Sequence, residues 1–223
     1  MPWIDDDARR KVEARLRDLP GRVRMVLFTD ALTCEACPEM KELTGEVAAL
    51  SDKLVLEEHN RFTEPEVALM YGIDKSPALV LEGPAGARVR FFGLPVGYEF
   101  ASLLGAIEDA AAGSAEVSDD ARDRLGNMTR SAHIQVFVTP TCPHCPAAVR
   151  TAHKLATAFP QITADMIEAG EFPELAEKYG VQGVPQIVVN GRVSFVGAQR
   201  EGAFVDAVLQ ATEGDPPAEA AEA

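Results

Sequence analysis

Aromatic side chains make up only 6% of the 223 residues, with a single Trp and three Tyr, and there are four His. Basic residues are also scarce: 21 Lys and Arg stand against 35 Asp and Glu, a net charge of −14. The deficit is even, with 20 acidic and 13 basic residues through Ser114 and 15 and 8 beyond it, so each half carries −7. A phosphate backbone or an anionic lipid surface would be repelled by either half, so neither nucleic acid nor membrane is an expected partner. No apolar run approaches the ~18 residues of a membrane span. The opening MPWIDDDARRKVEARL carries charge where an export signal needs an apolar stretch, and a cytoplasmic location is expected. What the chain does hold is apolar material, 47% of it, enough for one large core or two small ones. Wholesale disorder is excluded.

The four cysteines fall as two pairs, Cys34-Glu35-Ala36-Cys37 and Cys142-Pro143-His144-Cys145. A secreted disulfide scaffold would be shorter and denser in Cys, so C-x-x-C twice in a chain of this length points to redox chemistry or zinc. The halves repeat. Cys34 to Cys142, Tyr71 to Tyr179 and Pro77 to Pro185 are each 108 residues apart, and each half places its proline 43 residues after its first cysteine. Past the proline, Gly93 and Phe100 match Gly197 and Phe204 at an offset of 104, because the loop EGPAGAR is longer than its counterpart NGR. A spacing shared over this length is a tandem repeat.

Each half reads as strand, cysteine turn, helix, strand, helix, hairpin, helix. The runs MVLF (25–28) and IQVFV (134–138) are short and β-branched or aromatic. Met40, Leu43, Val47 and Leu50, then Val149, Ala152, Ala156 and Phe159, share the i, i+3, i+7, i+10 spacing of an amphipathic helix. Second strands are expected at KLVLEE and QITADMI, short helices before the Tyr-Gly pairs, and hairpins turning at Gly83-Pro84 and Asn190-Gly191. Helices then close each half at EFASLLGAIEDA and EGAFVDAVLQA. A β-α-β unit followed by β-β-α, with C-x-x-C at the first strand-to-helix junction, is the thioredoxin-like layout. The expected class is therefore α/β: two tandem thioredoxin-like folds, each a three-layer α/β/α arrangement with a mixed central sheet. The expected boundaries are 1–114 for a first unit with an extra N-terminal helix over 5–18, 115–131 for a polar connector that could hold one helix, 132–212 for a second unit, and 213–223 for a frayed tail.

A thiol attacks a disulfide only as thiolate. Placing Cys34 and Cys142 at helix N-termini favours the anion through free N–H groups and the positive dipole end. Cys37 and Cys145, three residues on, are then within bonding reach and can release a client from the mixed disulfide. Pro38 and Pro146 suit the first helical turn, which tolerates a missing N–H. In the second site Pro143 and His144 supply a rigid turn and an imidazole that favours the Cys142 thiolate, so Cys142-Cys145 is expected to be more oxidising than the Glu35-bearing first site. Ser76-Pro77 and Val184-Pro185 put a proline inside an apolar strand run, which signals a special peptide bond. In thioredoxin-like folds this proline is cis and lies beside C-x-x-C, turning the backbone of Ser76 or Val184 toward an extended substrate.

The stretches VFVTPTCPHCPAAVRTAHKLA, RFFGLPVGYEFASLL and YGVQGVPQIVV carry a family resemblance. The chain resembles the protein disulfide oxidoreductases of thermophilic archaea and bacteria, also called glutaredoxin-like proteins, from about residue 5 to 211. The resemblance implies oxidation, reduction and isomerisation of protein disulfides, with the second site usually dominant. It also implies Cys34, Cys37, Cys142, Cys145, Pro77 and Pro185 as site residues. Clients would be proteins with thiols or disulfides. Electrons would come from NADPH through a thioredoxin reductase-like flavoenzyme, with no cofactor beyond the disulfides. The chain departs from the family at His144, where C-P-Y-C is more usual. It also lacks thioredoxin's acid six residues before the first cysteine, having Phe28 and Val136 there, so the proton acceptor for Cys37 or Cys145 is left unnamed.

Two rival readings belong to other classes. A structural four-cysteine zinc site would usually separate its pairs by ~15–20 residues, whereas Cys37 and Cys142 are 105 apart. A peptide-binding holdase would leave the cysteines incidental. His59, His133 and His153 show no ligand pattern and read as surface or packing residues, as Tyr71 and Tyr179 read as packing. Asn127-Met128-Thr129 matches a glycosylation sequon that carries no meaning without export.

Overall fold

The computed structural model describes residues 3–213 apart from Ala31, and the expected tail beyond Glu213 lies outside the described residues. The first unit begins with α1 (Asp6–Leu16), whose start is capped by Asp5 accepting from the Asp7 and Ala8 N–H groups. It continues with β1 (Val23–Thr29), α2 (Cys37–Ala48), β2 (Leu54–Asn60), α3 (Pro65–Met70), β3 (Ala78–Gly83), β4 (Gly86–Phe92) and α4 (Phe100–Ala112). The connector holds one helix, α5 (Asp119–Leu125), capped by the Ser118 hydroxyl. The second unit repeats the order with β5 (Ala132–Val138), α6 (Cys145–Ala158), β6 (Ile162–Glu168), α7 (Pro173–Lys178), β7 (Gln186–Val189), β8 (Val193–Val196) and α8 (Glu201–Thr212).

The eight strands form one sheet in the order β2-β1-β3-β4-β6-β5-β7-β8. The joint between units is the parallel pairing of β4 with β6, Val89 opposite Ala164 through Phe92 opposite Ile167. Repeat reasoning shows two folds; it does not show that their sheets fuse, because either edge strand could equally have faced solvent. Arg90 and Asp165 are opposite each other in this seam and both are buried. The guanidinium meets the carboxylate in two bonds, Nε at 2.7 Å and Nη2 at 3.0 Å, and His133 Nε2 lies 2.5 Å from the same carboxylate. Burial pushes the Asp165 carboxyl up, but His133 and Arg90 outweigh it and hold it well below the usual range.

One large core lies under α1, α2, α4, α5, α6 and α8, and a smaller one under α3 and α7 on the opposite face. This gives the three layers expected. β1, β4, β6 and β5 run parallel, so β1 and β5 end on the same edge of the sheet. That edge carries both cysteine pairs.

Candidate active sites

Cys34 and Cys142 follow the ends of β1 and β5, and α2 and α6 begin at Cys37 and Cys145. The helices start at the second cysteine of each pair, not the first, because Pro38 and Pro146 have no N–H to return to the carbonyls of Cys34 and Cys142. A tight turn supplies the approach instead, with the Cys145 N–H donating to the Cys142 carbonyl at 3.4 Å. No side chain caps either helix start, which leaves the leading N–H groups to the sulfurs. Both pairs are joined as disulfides, with Cα atoms 5.4 and 5.5 Å apart. Cys34 is half-buried and Cys142 is 8% exposed, while their partners Cys37 and Cys145 are 5% and 0% exposed. The first sulfur of each pair is thus the more open to a client. Pro143 and His144 stand exposed between the second pair.

The peptides Ser76-Pro77 and Val184-Pro185 are both cis, as expected. Strand pairing starts only after them, at Ala78 and Gln186, so Ser76 and Val184 lie outside the ladders. The Cys142 Sγ is 3.7 Å from the Val184 carbonyl oxygen, which brings the two sequence-distant halves of the second site together. In the first site the Ser76 hydroxyl accepts from Arg61 Nε at 3.0 Å.

Sequence reasoning missed a residue beside the second site. Gly97–Glu99 forms a short turn that leads into α4 and touches α6. The Tyr98 N–H donates to the Pro140 carbonyl at 3.1 Å, two residues before Cys142. Gly97 has φ 61°, and a side chain there would collide with that same carbonyl. Glu99, next in the chain, is 1% exposed, and among the described residues its carboxylate makes no well-formed hydrogen bond, with only the Ser102 hydroxyl acting on it weakly. Burial pushes its carboxyl up to about 7. The signal was present in the repeat: with Phe100 matched to Phe204, Glu99 falls opposite Ala203.

The other residues singled out in the sequence are absorbed by structure. His153 is buried against Phe91 at 4.8 Å between ring centres, and burial lowers its imidazole to about 3. His59 pairs with Glu64, and Tyr71 and Tyr179 lie against Phe28 and Phe137. The two cysteine pairs lie four strand positions apart, roughly 20 Å at sheet spacing. Four sulfurs at that distance cannot close on one zinc, whose Zn–S bonds are about 2.3 Å.

Two helix-start dithiols on a thioredoxin-like frame define a thiol–disulfide oxidoreductase. A family model described as thioredoxin domain matches residues 132–210. Thioredoxin of Methanocaldococcus jannaschii is 42% identical over 76 residues, which span 34% of this chain and 89% of that protein. The chain belongs to the thioredoxin family. The crystal structure of a protein disulfide oxidoreductase from Aeropyrum pernix K1 superimposes with a TM-score of 0.87 and 28% identity, covering 96% of each chain. The F subunit of alkyl hydroperoxide reductase in Staphylococcus aureus is 27% identical over 191 residues, 84% of this chain. The chain spans about a third of the length of that relative (34%). Among the described residues, no helix is long and apolar enough to cross a membrane.

Proposed function

We propose that both dithiols exchange disulfides with client proteins, through units at 1–114 and 132–212 joined by the connector 115–131, and that Cys142-Cys145 is the dominant pair. In the reductive direction the Cys142 thiolate attacks a client disulfide, forming one S–S bond and releasing one client thiolate. Cys145 then attacks the Cys142 sulfur, closing the pair and releasing the second client thiolate. Two electrons pass to the client. The proton of Cys145 needs an acceptor, and Glu99 suits that role because it is buried, its turn packs against α6 and its carboxyl is poised near neutrality. Ser76 and Val184 offer unladdered backbone on which an extended client can add a strand. A cleft of about 560 Å³ begins at Lys75 and is walled by Phe172, Leu175 and Lys178, giving a client chain room beside the first site.

The observation that carries this reading is the placement of each disulfide at an uncapped helix start on a shared sheet edge. The likeness to the alkyl hydroperoxide reductase component supports a place in electron flow toward hydroperoxides, and NADPH with a thioredoxin reductase-like flavoenzyme is the source we assign. The test is insulin reduction with NADPH and thioredoxin reductase. Wild type should turn over, and a variant with all four cysteines changed to Ser should be inert. Full activity in that variant would leave the holdase reading in its place.

A further inference from the structure

The repeat provides an internal control for the shells around the two dithiols. Three positions that surround the first site are polar, Asp30, Arg61 and Ser76, and their counterparts at the offset of 108 are Val138, Ala169 and Val184. These three side chains join up. Asp30 stands just past β1, 5% exposed, and its Oδ1 accepts from the N–H of Leu32 at 3.1 Å and of Thr33 at 2.7 Å, shaping the loop that carries Cys34. Arg61 stands just past β2. Its Nε donates to the Ser76 hydroxyl at 3.0 Å, its Nη1 to the Asp74 carbonyl at 3.1 Å, and its Nη2 lies 3.9 Å from Asp30 Oδ2. Burial pushes the Asp30 carboxyl up, yet the Thr33 and Leu32 N–H groups and the Thr33 and Ser76 hydroxyls hold it below the usual range, so it stays an anion beside the guanidinium.

We infer that Arg61 is a positioning residue for client docking at the first site: it ties the cysteine loop, through Asp30, to the segment 74–76 that presents the docking backbone. The inference rests on the proposed strand addition at Ser76. Two charge-assisted hydrogen bonds hold both ends of that segment, its Asp74 carbonyl and its Ser76 side chain. The contacts are spread over all three guanidinium nitrogens, Nε, Nη1 and Nη2, a span that a single ammonium nitrogen does not reproduce. The second site reaches the same end without it: the corresponding residues are apolar, and the Val184 carbonyl lies directly against Cys142. The first site therefore docks clients through a polar tie and the second through packing. Their responses to the loss of one cation should differ.

The test uses the full chain with Cys142→Ser and Cys145→Ser, so that only the first site reacts. The oxidised protein is mixed with excess reduced dithiol peptide, and the exchange rate is followed against peptide concentration. Arg61→Ala should raise the half-saturating concentration about tenfold, the value of one lost charge-assisted bond, with the limiting rate and the Cys34-Cys37 potential within about twofold and about 10 mV of the parent. Arg61→Lys should recover only part of the loss. In the complementary background, with Cys34→Ser and Cys37→Ser, Arg61→Ala should leave second-site exchange unchanged. An unchanged half-saturating concentration would overturn the inference. So would a parallel fall in limiting rate, potential and melting temperature, which marks a merely structural role. A first-site parent that dithiothreitol reduces but peptide does not would overturn the exchange reading at this site and the inference with it.

Discussion

The two dithiols share a backbone plan and differ in nearly everything that touches it. Both pairs follow the end of a parallel strand and open a helix with Pro at its second position, and each unit carries a Pro-preceding residue outside the ladder. Around the first, Cys34 is half-buried, the intervening residues are Glu35 and Ala36, and the adjoining loops are tied by Asp30, Arg61 and Ser76. Around the second, both cysteines are buried, Pro143 and His144 intervene, the adjoining positions are apolar, and a buried acid from the other unit lies in a turn packed against α6. A repeated frame thus fixes where sulfur can react, while its surroundings set how readily. The turn that carries the acid meets the second unit where α4 of the first packs against α6 of the second.

The two sites differ most in what their sulfurs contribute to turnover. Cys142→Ser should remove most insulin-reducing activity, and Cys34→Ser should leave most of it; a reversed order would make the first site dominant. Next in size is the seam that fixes the spacing of the sites. Asp165→Ala leaves the buried Arg90 without its counter-charge, with only the Tyr71 and Gly72 carbonyls still accepting from it, and should cost about 3–5 kcal/mol in chemical denaturation, with activity per folded molecule retained. A loss under about 1 kcal/mol would mean the seam depends on backbone pairing alone.

Glu99→Gln comes third, and it separates the sites by pH. The second-site step that closes on Cys145 should slow about a hundredfold at pH 8, with first-site exchange unaffected. Stability adds an independent readout. The folded chain holds the Glu99 proton up to about pH 7, whereas the unfolded chain releases it near 4.5. The proton therefore favours folding at low pH, and stability falls as pH rises from 4.5 to 7, levelling off above that. The full change is about 3 kcal/mol. Glu99→Gln should flatten that slope, gaining on wild type between pH 4.5 and pH 8; an unchanged slope would place the titration elsewhere. The smallest effect concerns the potentials. Equilibrated against glutathione, Cys142-Cys145 should lie above Cys34-Cys37, and His144→Ala should lower it by about 30 mV, tenfold in the equilibrium constant. A higher potential at Cys34-Cys37 would reverse the assignment of the oxidising site.

Most of the fold was legible because its signals are local. Strand runs, helix spacing and the 108-residue offset are read along the chain, and the structure returns a β-α-β then β-β-α order in each half with the cysteines at the first junction. The cysteines and prolines were legible for the same reason, since their spacing is itself the chemistry of the site. The connector was legible as a polar stretch that could hold one helix, but not where that helix starts and stops, because the seven residues of α5 give just under two turns of periodicity. His153 and Tyr71 read as packing residues, and so they are, although Tyr71 also donates to Glu82 at 2.9 Å.

Sequence alone determined that two thioredoxin-like units stand in tandem, that each carries a dithiol able to close on itself, and that both surfaces are acidic. Those properties depend on residues a few positions apart, or on sums over the chain. Tertiary structure alone decided that β4 joins β6 into one sheet, that Arg90 and Asp165 face each other across that joint, and that the turn holding Glu99 of one unit packs against the loop before Cys142 of the other. Pairing between sheet edges and burial of a lone carboxylate depend on which distant surfaces meet, and no spacing along a single chain encodes that directly.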